Sequence, residues 1–312
     1  MSYQPAIMSA SLGRAWLHNL HYKIEQAAKA GFKGIEIFYE DLDYAAREAS
    51  GSDSPSAEDI LSAADRVHES CQAQGLQLWF QIAKRLETDT IQIPANFLPA
   101  EQLTDDLDII AADLRQVADM GAAESPIVRF AYENLCWSTY IDTWEKLWQV
   151  VKRVDRPNFG MCLDTFNIAG RVWADPADAT GKTQNADADL KQSLERMVAE
   201  IDLTKVFYIQ VVDAERMESP LVSGHPFHVD GQPARMSWSR NARTFMYEND
   251  RGAYMPVEDV AKTIINGLGY KGYVSMELFS RTMAETGKHV PDEHAARGIA
   301  AWKKFQQRLQ LE

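Results

Sequence analysis

The stretch Ile127–Asp164, IVRFAYENLCWSTYIDTWEKLWQVVKRVDRPNFGMCLD, sets two short apolar runs, Ile127–Tyr132 and Phe159–Leu163, on either side of an amphipathic segment from Thr143 to Val154. Apolar runs of that length read as strands and the segment between them as a helix, so the stretch is a strand–helix–strand unit of a parallel sheet. A carboxylate follows each apolar run, Glu133 after the first and Asp164 after the second. In a strand buried on both faces such a group needs a reason to be there.

The same alternation continues in both directions with no linker. Upstream, a strand near Ala6–Ser11 precedes a helix from His21 to Ala30, whose Ile24, Ala27 and Ala28 share one face and which Gly31 ends. Gly34–Phe38 reads as a strand, and Ser56-Ala-Glu-Asp59 opens a helix with a capping box in which Asp replaces Glu. Thr90–Ile93 is a strand stopped by Pro94, and Asp105–Met120 a helix stopped by Gly121. Downstream follow a helix Leu190–Ile201, a strand Val206–Val212, a helix Val257–Gly267, a strand Tyr273–Leu278 and a closing helix Asp292–Leu309. This regularity predicts an α/β fold, a closed TIM-type (β/α) barrel forming a single domain over residues 1–312. No GxGxxG follows a first strand to support a dinucleotide fold. One segment resists: Leu76, Leu78, Phe80 and Ile82 alternate like a strand, whereas Trp79, Ile82, Ala83 and Leu86 recur at helical spacing.

Composition narrows the function. A hydrophobic fraction of 46% over 312 residues is enough for a sizeable core, yet no run approaches the roughly 18 apolar residues of a membrane span. The formal charge of −13 repels phosphate backbones, and no basic stripe offsets it, which argues against nucleic acid as a partner. Cys71, Cys136 and Cys162 are too scattered for a disulfide framework or a CxxC zinc site. The opening MSYQPAIMSASLG shows neither a basic cluster nor an apolar run, so a cytoplasmic location is expected.

Barrel active sites lie at the C-terminal ends of the strands. Four polar residues stand at those ends: Glu133 in RFAYENL, Asp164 in MCLDTFN, Gln210 in FYIQVVD and Glu277 in VSMELFS. Singly, each reads as a structural group in an ion pair; four in register suit a hard divalent ion such as Mg²⁺ or Mn²⁺. Zinc is disfavoured because no His or Cys joins the set. His225 and His228 in GHPFHV are general acid/base candidates outside that set, although Gly224 and Pro226 mark a turn there. His18 and His21 flank the first barrel mouth, Glu36 and Glu40 lie at and beyond the second strand, and Asn167 follows Asp164 by three residues.

The segments GIEIFYEDL, TIQIPANFLP, VRFAYENLCW, VDRPNFGMCLDTFNIAGRVWADP, VFYIQVVDAERM, GHPFHVDGQPARMSWSRNAR and GYVSMELFSR resemble fungal 3-dehydroshikimate dehydratases of the quinate pathway. Those proteins lie within the xylose isomerase-like, AP-endonuclease-family-2 superfamily of TIM barrels. The resemblance implies a divalent metal, Co²⁺ included, held by residues that map onto Glu133, Asp164, Gln210 and Glu277. It implies Lewis-acid dehydration of a small keto acid, 3-dehydroshikimate, to protocatechuate. Related isomerases use metal-bound glutamates as acid and base, which adds that role to Glu133 and Glu277, with His225 as the outside candidate. The substrate carboxylate calls for an arginine fork, and Arg14, Arg216, Arg240 and Arg243 are candidates, with Asn167 facing the same pocket. An isomerase or epimerase of the same superfamily, and a catalytically silent relative, are the alternatives; a homo-oligomer is left open.

The family's third strand ends in a Gln-Pro-Phe-like motif followed by a covering loop. Here Gly75 runs straight into LQLWFQIAKRL, so a strand and its loop are absent. The barrel must then close with seven strands, leave a gap beside Glu36 and Asn96, or recruit Leu76–Ile82.

Overall fold

A computed structural model describes residues 2–72 and 80–311. Strand β1 (Gln4–Met8) leads through a 3-10 turn into helix α1 (Leu20–Ala30), and β2 (Gly34–Glu36) into α2 (Tyr39–Ser50) and α3 (Ala57–Gln72). After α4 (Phe80–Leu86) come β3 (Thr90–Pro94), α5 (Leu107–Ala122), β4 (Arg129–Glu133), α6 (Trp144–Val154), β5 (Phe159–Asp164) and α7 (Thr165–Val172). The chain continues through α8 (Ala186–Glu200), β6 (Val206–Gln210), β7 (Asp213–Ala214), α9 (Ala234–Ala242), β8 (Arg243–Thr244), α10 (Val257–Lys262), β9 (Tyr273–Met276) and α11 (Val290–Leu309).

Local chemistry explains most boundaries. The Asn19 side chain accepts from the His21 amide at 2.9 Å and caps α1, and Gly31 ends it at φ +103°, a left-handed conformation costly for residues with a Cβ. Ser56 and Asp59 exchange the two capping-box bonds, at 2.8 and 3.2 Å. Gly121, read as a stop, instead lies inside α5, which runs on to Ala122; it is small because a Cβ there would meet the Val128 carbonyl and the Phe130 ring of β4. Helices α2, α7 and α9 were not expected from the periodicity. Of these, α7 and α9 are short, at 8 and 9 residues, whereas α2 has 12.

The main sheet is parallel, in the order β2-β1-β9-β6-β5-β4-β3. It curls, because Glu36 on β2 meets Gln210 on β6, three places along the order. The TIM-type barrel with its third strand lacking or substituted, as read from the sequence, is borne out: the described residues form seven parallel strands, and among them no ladder joins β2 to β3. Ile82 belongs to α4, the helical reading of that segment, while Leu76, Leu78 and Trp79 lie outside the described residues. The core fills the interface of sheet and helices, with Trp144, Leu147, Val150, Val151 and Val154 of α6 buried against Phe159 and its neighbours. Among the described residues no helix is long and apolar enough to cross a membrane.

The tightest strand contact lies at Gly160 in β5. A Cβ there would collide with the Lys205 carbonyl and lie 2.8 Å from the Phe207 ring, both on the β6 side. Gly160→Ala is therefore expected to destabilise the protein by about 1–3 kcal/mol, the usual cost of overpacking, measured as a lowered denaturant midpoint at unchanged slope. A neutral result would mean that β5 and β6 are less closely apposed than described.

Candidate metal centre

Parallel strands all end at the same face, so inward-pointing residues at or next to their ends meet in one region. Glu133 closes β4, Asp164 closes β5, Gln210 closes β6, and Glu277 follows β9 by one residue. All four are buried: 3%, 1%, 0% and 6% exposed. Oxygens of Glu133, Asp164 and Glu277 lie within 4.8 Å of one another, a spacing that a single ion can bridge.

Each carboxylate is held by donors. Gln92 Nε2 on β3 donates to Glu133 Oε2 at 2.5 Å. Asn167 Nδ2 donates to Glu133 Oε1 at 2.9 Å and to Asp164 Oδ2 at 2.7 Å, while its Oδ1 accepts from the Cys136 amide at 3.0 Å. One side chain thus ties the ends of β4 and β5. Asp164 also caps α7, its Oδ1 accepting from the Phe166 amide at 2.8 Å. Gln210 Nε2 donates to Glu277 Oε1 at 3.0 Å and to both oxygens of Glu36, at 3.0 and 3.1 Å. Its Oε1 accepts from Cys162 Sγ at 3.3 Å. Gln210 accordingly meets the carboxylates through its nitrogen, and as a metal ligand it would present its oxygen instead. Glu36 accepts further from Ser275 Oγ at 2.9 Å and Tyr208 Oη at 3.3 Å.

Arg243 is the cation of the cluster. Only 2% exposed, it donates from Nη1 to Asp164 Oδ2 at 3.1 Å and to Glu277 Oε2, and from Nε to Ser239 Oγ at 3.1 Å. Its guanidinium stacks 4.1 Å over the Phe166 ring. Burial works to lower its pKa, but Glu277, Asp164 and Glu133 outweigh that and raise it. One guanidinium faces four carboxylates, and the excess shows in their protonation. Burial, then the charges of Glu277 and Asp164, lift Glu133 well above the usual carboxylate range. Burial raises Asp164 and Glu36 as well, and takes Glu277 to about 8 even though Arg243 opposes it. A divalent cation could supply the charge that this donor set lacks.

The other candidates fall elsewhere. His225 Nδ1 accepts from the Phe227 amide at 3.0 Å within its turn, and no bond joins it to the carboxylates among the described residues. His228 pairs with Asp230 at 3.1 Å. His18 Nε2 donates to the Glu285 carbonyl at 2.9 Å, and burial lowers its pKa. Arg216 donates to the Ala179 carbonyl at 3.2 Å. Arg14 and Arg240 meet at the mouth, where Arg14 Nη2 lies 3.4 Å from the Arg240 carbonyl oxygen. Gln92 escaped the reading of the sequence; its signal was a carboxamide inside the apolar run TIQIP. A cleft of about 920 Å³ is bounded by Cys136, Phe97, Gln232 and Met236, and none of the cluster carboxylates lines it.

With this geometry in view, comparisons with known proteins become informative. A family model described as xylose isomerase-like TIM barrel matches residues 72–305. The chain belongs to that family. Among its relatives is a 3-dehydroshikimate dehydratase of Neurospora crassa, 47% identical over 338 aligned positions that cover 98% of this chain and 94% of the relative. The alignment is longer than the 312 residues of this chain, so the relative carries residues without a counterpart here. A 3-dehydroshikimate dehydratase of Pseudomonas aeruginosa is 28% identical, over 83% of this chain and 36% of the longer relative. Among solved structures, a xylose isomerase-like TIM barrel/4-hydroxyphenylpyruvate dioxygenase fusion protein superposes with a TM-score of 0.64 at 20% identity, covering 99% of this chain and 44% of that one. That likeness bears on the fold alone.

The raised carboxylates give the centre a pH signature. In chelator-treated protein, Glu277, lifted to about 8, favours the folded state at low pH and loses that contribution as pH rises through about 8. A metal binds its deprotonated form, so metal affinity is expected to rise with pH up to about 8 and then level off. Calorimetry of Mn²⁺ binding in buffers of different ionisation enthalpy should find on the order of one proton released per ion at pH 7, and fewer at pH 9. Equal release at both values would contradict the protonated resting cluster.

Proposed function

We propose that the protein is a metal-dependent hydro-lyase that dehydrates 3-dehydroshikimate to protocatechuate, releasing one water as the ring becomes aromatic. The observation that carries this reading is the convergence of Glu133, Asp164 and Glu277 in a chain 47% identical, over 98% of its length, to a protein named for that activity. The residues fit a divalent ion: three buried oxygen donors in excess of their one cation, with Gln210 beside them. Mg²⁺ or Mn²⁺ suits all-oxygen donors best. When bound, such an ion supplies Lewis-acid polarisation of a substrate ketone and so eases loss of the neighbouring proton.

The chain's own residues do the rest. Glu133 and Glu277, both raised in pKa, are suited to take a proton from carbon and return one to the departing hydroxyl near neutral pH. Gln92 and Asn167 occupy both oxygens of Glu133 and so set its plane. Arg243 holds Asp164 and Glu277 in a common orientation and limits their repulsion. Burial of the cluster excludes bulk water from the reacting carbon. We read residues 1–312 as one barrel unit, and the free, buried Cys136 and Cys162 support a reducing, cytoplasmic setting.

Purified protein with Mg²⁺ or Mn²⁺ is expected to convert 3-dehydroshikimate to protocatechuate, followed by absorbance. Chelation should abolish the rate, and Glu133→Ala should lower it by roughly 100-fold or more. Folded, metal-binding protein that makes no protocatechuate would overturn the dehydratase reading and favour a sugar or keto-acid isomerase, or a silent relative.

A further inference from the structure

Of the four carboxylates in the cluster, Glu36 alone has neither a cation nor a place among the three whose oxygens an ion could share. Arg243 bonds Asp164 and Glu277, no lysine, arginine or histidine pairs with Glu36 among the described residues, and the trio within 4.8 Å is Glu133, Asp164 and Glu277. Glu36 ends β2 and is partly buried, yet it reaches Gln210 on β6, three places along the sheet. The registers make that reach possible. Gly34 pairs with Ala6, Ala6 with Ser275 and Ser275 with Gln210, and paired residues share a face of the sheet. At that level β2, β1 and β9 therefore present only glycine, alanine and serine to the interior, short side chains that leave Glu36 room to cross the barrel.

A carboxylate drawn out of water without a cation costs stability unless donors surround it. Ser275 Oγ donates to Glu36 at 2.9 Å, Tyr208 Oη at 3.3 Å, and Gln210 Nε2 to both oxygens at 3.0 and 3.1 Å. The contact with Gln210 has a further consequence. The two ends of a carboxamide are alike in shape and opposite in polarity, so packing does not decide which way it faces, whereas an ionised carboxylate accepts only from its nitrogen. Nε2 also donates to Glu277 Oε1 at 3.0 Å. Turned over, the amide would set its oxygen against both carboxylates. Oε1 is left with Cys162 Sγ at 3.3 Å, a weak donor.

A hard divalent ion binds an amide through its oxygen and not its nitrogen. We infer that Glu36 is a positioning residue of the metal centre: it anchors the carboxamide of Gln210 by the nitrogen and so reserves the oxygen for a divalent cation. Glu277, once engaged by an ion, releases one Nε2 hydrogen, and the anchor on Glu36 remains. The inference rests on the metal-dependent reading of the cluster and adds to it a residue of β2, the strand farthest along the sheet from Glu133 among those that supply the cluster's carboxylates.

The test is calorimetry of Mn²⁺ binding to the chelator-treated full chain at one fixed pH. Glu36→Gln offers a donor as well as an acceptor, so either end of the Gln210 amide can face it. It is expected to raise the Kd for Mn²⁺ about tenfold or more, the usual cost of losing a partner that orients a metal ligand, without lowering the denaturant midpoint. Glu36→Asp keeps the charge but withdraws it from Gln210 by one methylene, and should weaken binding at least about threefold. In a Gln210→Ala background, which retains Glu133, Asp164 and Glu277, the Glu36→Gln change should cost less than about twofold, because no carboxamide is left to orient. Equal costs in the two backgrounds would show that Glu36 acts through its charge alone and would overturn the inference, as would full affinity in Glu36→Asp. Wild-type protein that binds no Mn²⁺ would bring down the metal reading and this inference together, whereas wild-type binding left unchanged by Glu36→Gln would remove this inference only.

Discussion

Four carboxylates share one buried guanidinium at the C-terminal mouth of this barrel, and much of the mouth's detail answers that imbalance. A buried ion costs several kcal/mol unless it is paired or fully hydrogen-bonded. Here Gln92, Asn167, Gln210, Ser275 and Tyr208 each donate to a carboxylate, and Arg243 bridges Asp164 and Glu277. Even so, burial leaves Glu277 raised to about 8 and Glu133 raised well above its usual range. The cluster is arranged to accept more positive charge than the chain itself provides.

That arrangement also keeps the cluster independent of how the barrel closes between β2 and β3. The cluster draws its members from β4, β5, β6 and β9, which are contiguous in the sheet, with Glu36 reaching in from β2. The seam lies between β2 and β3, at the ends of the strand order, where only Glu36 and Gln92 belong to strands that border it. Both are tied inward by hydrogen bonds to the cluster rather than to one another. The consequence appears at the rim: Trp16, Phe38, Tyr39, Phe97 and Leu98, all in segments following β1, β2 and β3, are exposed. On the other side Trp238 and Met236 of α9 are buried.

The seam was legible in the sequence as a register problem. Gly75 runs straight into a segment that fits either a substitute strand or a helix; Phe80–Leu86 takes the helical alternative as α4, and residues 73–79 lie outside the described residues. The four strand-end groups were legible for a similar reason: a carboxylate or carboxamide after an apolar run is conspicuous, and parallel topology sends all such ends to one face. His225 shows the limit of that approach. A histidine titrates in the useful range wherever it sits, but this one accepts a bond from the Phe227 amide to close a turn.

Alternation of apolar runs with amphipathic segments, set by the periods of strand and helix, was enough by itself to determine the parallel (β/α) architecture, and residue chemistry was enough to single out Glu133, Asp164, Gln210 and Glu277. Which partner each of those groups takes was decided only in three dimensions. Arg243 stands 79 residues from Asp164 and 34 from Glu277, and Gln92 41 from Glu133. Four arginines looked equivalent in the sequence because charge is a local property of a residue, whereas pairing depends on what the fold brings within about 3 Å. Burial against Asp164 and Glu277 then separated Arg243 from Arg14, Arg216 and Arg240, which bond elsewhere.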